Sequence, residues 1–257
     1  MNTSVKDTSD FVKSLAKGLK VINVFGEVEG PLTLSEVAVR TGMTRAAARR
    51  FLLTLTELGY TRIEGRNFFL TPKILSLSGN YLASDALPDV ARPFLKELTQ
   101  KVHESSSLSV LEGNEIVYVA RILTQRIMSV NIQIGTRFPA WCTSMGRAQM
   151  AFVARDVQER IIDASELKQF TAKTIATRQG LLDELDKIHE QGYALVDQQL
   201  EEGIISIAVP VFSRNQQVIA AANVAGHSSH TNPEKMVNEV LPALKEAVTG
   251  IQFAYQQ

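Results

Sequence analysis

The chain has 257 residues, with 27 Lys and Arg against 27 Asp and Glu and a single cysteine, Cys142. That length accommodates two domains, the zero net charge implies no general affinity for polyanions, and one cysteine excludes an internal disulfide. No apolar run is long enough to span a bilayer, and the stretch Met1 to Asp10 is polar without the apolar segment of a signal peptide, so a cytoplasmic protein is expected.

Val12, Leu15, Leu19, Ile22 and Val24-Phe25 predict a first helix that completes a three-helix core. Thr33 and Glu36 have the spacing of a capping box, so a second helix starts there with Leu34, Val37 and Ala38 inward. Gly42 follows its apolar residues and can turn the chain through positive φ. Thr44 suits the N-cap of a third helix whose buried face is Ala47, Phe51, Leu52, Leu55 and Leu58. Arg45, Ala46, Arg49 and Arg50 lie near its exposed start, and small Ala46 and Ala48 would allow close approach to a partner. Gly59 ends the helix, and residues 60–70 read as a hairpin with Gly65-Arg66 at its tip. Helix, tight turn, helix and wing in this order describe a DNA-binding head whose second helix enters the major groove. From Arg40 to Lys73 seven basic residues face two acidic ones, a local net charge of +5 in a neutral chain. The competing reading is a charged surface helix in an ordinary helical domain. The expected operator-facing residues are Thr44, Arg45, Ala46, Arg49, Arg50 and Arg66.

Ile74 to Ala86 continues as a helix that Pro88 interrupts, and a further helix is expected over roughly Asp89 to His103. Strands Leu108 to Leu111 and Ile116 to Ala120 flank the turn signal Gly113-Asn114. Met128, Val130, Ile132 and Ile134 alternate with polar residues as a half-buried strand would. Gly135 to Cys142 reads as a loop, and Thr143 or Ser144 opens a helix through Phe152. Asp156 and Glu159 cap a short helix, and a longer one runs from about Arg178 to Gln191 before Gly192. Strands Ile204 to Phe212 and Val218 to Ala225 come next. Asn232-Pro233 then starts a last helix with Val237, Leu241, Leu244, Val248 and Ile251 as its apolar stripe. Strands interrupted by helices at these positions suggest an antiparallel sheet with helices packed on it, an α+β sensor domain.

In those late strands Ser206 and Ala208 share one face, as do Ala221, Asn223 and Ala225. Side chains this small leave volume unfilled, and the polar ones supply hydrogen bonds, as a small-molecule site needs. Close helix packing is the alternative reading. Arg137 can pair with a carboxylate bidentately, and Trp141 offers an aromatic face, each with plain ion pairing or core packing as its alternative. Cys142 reads as a small apolar residue of a core or pocket. His227 and His230 have metal-compatible spacing but no recognisable further ligand, so no metal, cofactor or catalytic residue is expected.

Three blocks together resemble the IclR family of bacterial transcription regulators: the head from Val12 to Pro72, the run Gly135 to Ala148, and the stretches Gly192-Tyr193-Ala194 and Glu202 to Val211. The recognition-helix string Thr44 to Leu55 and the loop Phe138 to Trp141 are similar to the subgroup of Pca, Pob and Cat regulators, which control β-ketoadipate pathway genes for aromatic acid breakdown. The resemblance implies an α+β chain: an N-terminal winged helix-turn-helix domain (1–73), a linker helix (74–87) and a GAF-like effector-binding domain (88–257). It implies a homodimer or tetramer on double-stranded DNA, with no catalytic activity. Its effector pocket falls on Ser144, Met145, Gly146, Asp197, Ser206, Asn223 and Ala225, to which Arg137 and Trp141 are added from their chemistry. Some members have a cysteine where this chain has Ser206 and serines near Asn223 and Ala225, departures that favour a ligand larger or flatter than a small keto acid. A small organic acid such as protocatechuate, 4-hydroxybenzoate, muconate or β-ketoadipate is the expected effector. An enzyme with a DNA-binding head and a ligand-free architectural protein are the competing functions.

Overall fold

The computed structural model describes residues 10–28, 30–77, 86–124 and 132–256. The chain divides into two compact units between Ser84 and Asp85.

In the first unit α1 (Lys13–Asn23) passes through a 3₁₀ turn (Val24–Glu27) to a short strand β1 (Leu32–Thr33). Then come α2 (Leu34–Thr41), α3 (Arg45–Glu57) and the hairpin β2 (Thr61–Glu64) and β3 (Asn67–Leu70). The three strands form one antiparallel sheet in the order β1-β3-β2. The capping box forms as spaced: the Thr33 N–H donates to Glu36 Oε2 at 2.7 Å and the Glu36 N–H to Thr33 Oγ1 at 3.4 Å. Gly42 closes α2 with φ 69°, which lets the chain turn directly into Thr44, the N-cap of α3. Val21, Phe25, Val37, Leu52 and Phe68 fill the core between these elements.

Of the residues expected inward at the first helix, Ile22, Val24 and Phe25 pack in the core but the earlier ones do not. Val12, Leu15 and Leu19 are exposed, the latter two by 62% and 51%, while Val21 is fully buried. Gly18 lies on the side towards α3, where a Cβ would stand 3.8 Å from the Phe51 ring, an ordinary contact. Leu58 is also exposed rather than inward. Beyond the wing, Pro72–Ile74 is a 3₁₀ turn and Leu75 to Leu77 is helical. The remainder of the expected linker helix, 78–85, lies outside the described residues.

The second unit opens with α4 (Leu87–Val102), which starts two residues earlier than expected because Pro88 sits in its first turn, where a missing N–H is tolerated. The strands are β4 (Ser105–Glu112), β5 (Glu115–Ile122), β6 (Arg137–Pro139), β7 (Ala194–Asp197), β8 (Ile204–Phe212) and β9 (Val218–His227). They make one antiparallel sheet in the order β6-β5-β4-β9-β8-β7. A 3₁₀ turn (Ala140–Cys142) leads into α5 (Ser144–Met150), then α6 (Arg155–Asp163) and α7 (Arg178–Gln191). The C-terminal segment is α8 (Pro233–Lys235), a π turn (Met236–Val240) and α9 (Leu241–Tyr255).

Helices α4 and α9 bury Leu95, Leu98, Leu244, Val248 and Ile251 against Leu108, Ile207, Val209 and Val224 on one sheet face. Helices α5, α6 and α7 bury Met145, Ile162, Leu181 and Leu185 with Ile116, Ala208 and Ala221 on the other. The α+β reading therefore holds, as a sheet between two helical layers. Three expectations differ. Ile132 to Ile134 are not a strand, and the rest of that predicted strand, 128–131, lies outside the described residues; the edge strand here is β6, read from sequence as loop. Asp156 and Glu159 do not cap α6, whose N-cap is Ala154; they pair instead with Arg160 and Arg178. Among the described residues no helix is long and apolar enough to cross a membrane.

Candidate functional site

The first unit presents one face of α3. Arg45, Ala46, Arg49 and Arg50 are exposed, while Ala48 is fully buried and packs inward, so it does not help a partner approach. Thr44 accepts from the Ala47 N–H at 3.2 Å and fixes the start of the helix. Arg45 and Arg49 stand one turn apart on the same side. At the wing, Glu64 pairs in register with Asn67, which leaves Gly65 and exposed Arg66 as the tip. Three other cations from α2 to the turn after the wing are engaged within the head. Arg40 meets Glu27 at 3.6 Å, Arg62 pairs with Glu64 and lies over the Phe69 ring, and Lys73 Nζ donates to Leu58 O at 2.8 Å. Among the described residues no carboxylate lies within ion-pair distance of Arg45, Arg49, Arg50 or Arg66. Four uncompensated guanidinium groups on one helix start and one wing tip are suited to phosphates and guanine edges.

In the second unit, register builds a polar floor. Ser206 stands opposite Ala225 and Ala208 opposite Asn223, so the two small-residue faces join. On the far side of β9, Ser105, Ser107 and Ser109 stand opposite Ala225, Asn223 and Ala221. A row thus crosses the sheet under α5: Ser107, Asn223, Ala208 and Ala194. Ser106 faces the other way, where its hydroxyl donates to Leu95 O at 2.9 Å. Gln149 reaches down from α5, its Nε2 donating to Ser109 Oγ at 3.3 Å. Asn223 is 4% exposed, and its Oδ1 accepts no hydrogen bond.

An irregularity in the β4–β5 register extends this row. Leu108 pairs with Ala120 but Ser109 with Tyr118, so Val119 is an extra residue in β5. Val119 and Ala120 both join the core on the α4 side. Past such a bulge the alternation is reset. Arg121 consequently pairs with Ser107 and shares its face, where it is half-buried.

The other expected pocket residues divide. Ser144 and Met145 are buried at the start of α5. Gly146 has a packing reason to be glycine, since a Cβ there would stand 2.1 Å from Ala140 O. Trp141 is buried beside α5 with its ring stacked on Phe170 at 5.8 Å. Arg137 belongs elsewhere: it is exposed on β6 and donates to Glu112 at 2.6 Å and Glu115 at 2.7 Å. Its neighbour Phe138 takes the inward side of that strand, packed edge-on against Tyr118. Asp197 also stands apart, paired in register with Ile205 rather than Ser206. Burial opposes its charge, but hydrogen bonds from Lys173 and Gln198 outweigh that and hold its carboxyl below the usual range.

Sequence reasoning missed Ser105, Ser107, Ser109, Arg121, Gln149 and Arg147. Alternating serines in a strand were a usable signal for the first three. Arg147 is fully buried, with Nε donating to Trp141 O at 2.7 Å, Nη2 to Gln199 Oε1 at 2.8 Å and Nη1 unpaired. Burial pulls its pKa down to about 10. Burial pushes the Cys142 thiol up to about 12, which leaves it a neutral core residue. His227 and His230 share Ser229 as hydrogen-bond partner, and His230 Nε2 lies 3.0 Å from Glu104. Among the described residues no three metal-binding side chains cluster.

Residues 14–64 match the IclR helix-turn-helix domain, and residues 79–253 match the bacterial transcriptional regulator IclR C-terminal domain. The chain is 39% identical over 93% of its length to a Pca regulon regulatory protein of Pseudomonas putida, of which it covers 82%. It is 36% identical over 95% of its length to a p-hydroxybenzoate hydroxylase transcriptional activator of Acinetobacter baylyi, of which it covers 92%. The crystal structure of a double mutant of the PobR inducer-binding domain from Acinetobacter, in complex with 3-hydroxybenzoic acid, matches 64% of this chain and 97% of its own, with TM-score 0.61 and 31% identity. With both domain models matched across most of the chain and such relatives alongside, the protein belongs to the IclR family of bacterial transcriptional regulators.

Proposed function

We propose that this regulator controls genes for the breakdown of aromatic acids and senses a small aromatic acid in its second unit. The observation that carries the effector reading is the buried Asn223 Oδ1, an acceptor without a donor on a floor of serines and alanines. Buried polar groups are ordinarily paired, so a donor brought by a ligand accounts for it. The names of its relatives point the same way: a Pca regulon regulator, a p-hydroxybenzoate hydroxylase activator and a domain holding 3-hydroxybenzoic acid.

In this reading residues 1–73 bind the operator, 74–87 link, and 88–257 bind the effector. Thr44, Arg45, Ala46, Arg49, Arg50 and Arg66 face the DNA. Ser206, Asn223 and Ala225 form the effector floor, with Ser144, Met145 and Trp141 from the layer above. Arg137, Asp197 and Gly146 have other duties and are left out. One head reads a short site, so a homodimer or a tetramer places heads on paired half-sites. The exposed stripe Val12, Leu15 and Leu19 on α1 is the apolar surface a second copy would cover. The acid is bound and released unchanged in the cytoplasm. Footprinting on the promoter beside the chain's own gene, with and without 4-hydroxybenzoate or 3,4-dihydroxybenzoate, tests this. A protected operator whose occupancy shifts with the acid supports the reading, and an unaffected footprint rejects it.

A further inference from the structure

We propose that Asn223 selects the effector by a hydrogen-bond donor on its ring, taking an aromatic acid that carries a hydroxyl and discriminating against the same acid bare or etherified. The proposal rests on the aromatic-acid reading above and makes it specific. Asn223 lies near the middle of β9, an interior strand between β4 and β8. Its neighbours Ala222 and Val224 belong to the core on the α4 side, and Ala221 to the core under α5. Alternation along the strand therefore turns the Asn223 side chain toward α5. There the residue is 4% exposed, and its Oδ1 has no hydrogen-bond partner.

The surrounding residues do not supply the missing donor. Ser107 on β4 and Ala208 on β8 stand opposite Asn223 in the two ladders. Ala208 has no polar side-chain atom, and the Ser107 hydroxyl makes no bond to Oδ1. Gln149, above the floor, commits its Nε2 to Ser109 Oγ at 3.3 Å and to Met145 O at 3.1 Å. A buried acceptor left unpaired carries a desolvation cost that an incoming donor recovers. An amide oxygen accepts and never donates. A phenolic O–H satisfies it, whereas an ether oxygen, a carboxylate and an unsubstituted ring edge do not. A single acceptor fixed on an interior strand meets one position of a ring laid on the floor. The place of the hydroxyl is thus read along with its presence.

The test is calorimetric titration of the full chain with benzoate, 3-hydroxybenzoate, 4-hydroxybenzoate and the methyl ethers of the two hydroxylated acids. Wild type is expected to bind one hydroxylated acid about 10- to 100-fold more tightly than benzoate and than its own methyl ether. Asn223→Leu, similar in size but without the amide, should bring that ratio close to one. Asn223→Asp, which keeps an acceptor in the same place, should retain part of it. Thermal melting of each variant separates lost binding from lost folding, and the wild-type comparison of hydroxyl with ether depends on no variant. Equal binding of benzoate and both hydroxylated acids by the wild type overturns the selection, as does an unchanged hydroxyl preference in folded Asn223→Leu. A preference for ether over hydroxyl, as when the amide presents Nδ2 instead, overturns it too. Each of these results leaves the aromatic-acid reading intact. If the wild type binds none of the acids, that underlying reading falls, and the selection with it.

Discussion

Gly146 shows how far a single position can be constrained by its neighbours. Its missing side chain lets the 3₁₀ turn at Ala140 press directly on α5, and any Cβ would overlap the Ala140 carbonyl. Overpacking of this kind forces the backbone to move. Gly146→Ala is expected to destabilise the second unit by about 1–3 kcal/mol, read by thermal or urea unfolding. Cys142, two residues before α5, gives a second expectation. Its thiol is held neutral up to about 12 by burial, against an ordinary value of 9.0. A folded-state value raised above the unfolded one contributes stability that is complete below the unfolded pKa and is lost as pH climbs through the folded one. Cys142 should therefore resist alkylation at mildly alkaline pH and react only with the unfolded chain. Rapid labelling of native protein would show that it is accessible after all. In the head, Arg45 and Arg49 carry the sharpest expectation. Replacing a base-contacting arginine with alanine costs about 1–3 kcal/mol in specific binding. A folded Arg45→Ala, Arg49→Ala variant that shifts the operator normally in gels would remove α3 from the interface.

At the scale of elements, the first helix and the β5 bulge are instructive. Helix α1 carries one apolar stripe, Leu15, Leu19 and Ile22, and periodicity points that stripe inward. The helix packs instead through Val21, with Gly18 beside Phe51, leaving Leu15 and Leu19 outside. If a second copy covers that stripe, Leu15→Glu with Leu19→Glu should shift the protein toward a smaller assembly in sedimentation and weaken operator binding, without lowering the unfolding temperature. An unchanged assembly would place the interface elsewhere. The bulge at Val119 acts by geometry alone. One extra residue moves Arg121 from the apolar α4 side to the polar floor beside Ser107. The caps of α2 and α3 by Thr33 and Thr44, by contrast, were legible because they depend on residues three apart in the chain. The sensor floor was half legible. Small residues on β8 and β9 stood out, but that β4 lies next to β9 and brings three serines to the same face is a fact of strand order.

For the whole molecule, operator binding and acid binding communicate only if the acid prefers one arrangement of the protein over another. Linkage makes the effect reciprocal, so an acid that changes operator affinity must bind with correspondingly changed affinity to the operator-bound protein. Titrating 4-hydroxybenzoate into protein with and without operator DNA should reveal a difference of about 5- to 150-fold. Equal affinities would mean that the acid carries no signal to the DNA.

What the sequence determined by itself was local or repeated along the chain. The capping spacings, the glycine turn, the arginine-rich start of α3, the hairpin tip and the alternation of β8 and β9 each involve residues close together, whose physics needs no knowledge of the rest. Only the tertiary structure decided that α1 leaves Leu15 and Leu19 exposed, that Arg137 is held by glutamates at the β4–β5 turn, and that Ala48 faces inward. It also decided that Arg121, Ser107 and Asn223 form one row. Those outcomes depend on strand order, on a bulge, and on which surface of a helix finds a partner. Such contacts join residues far apart in the chain, and spacing along a sequence carries no information about them.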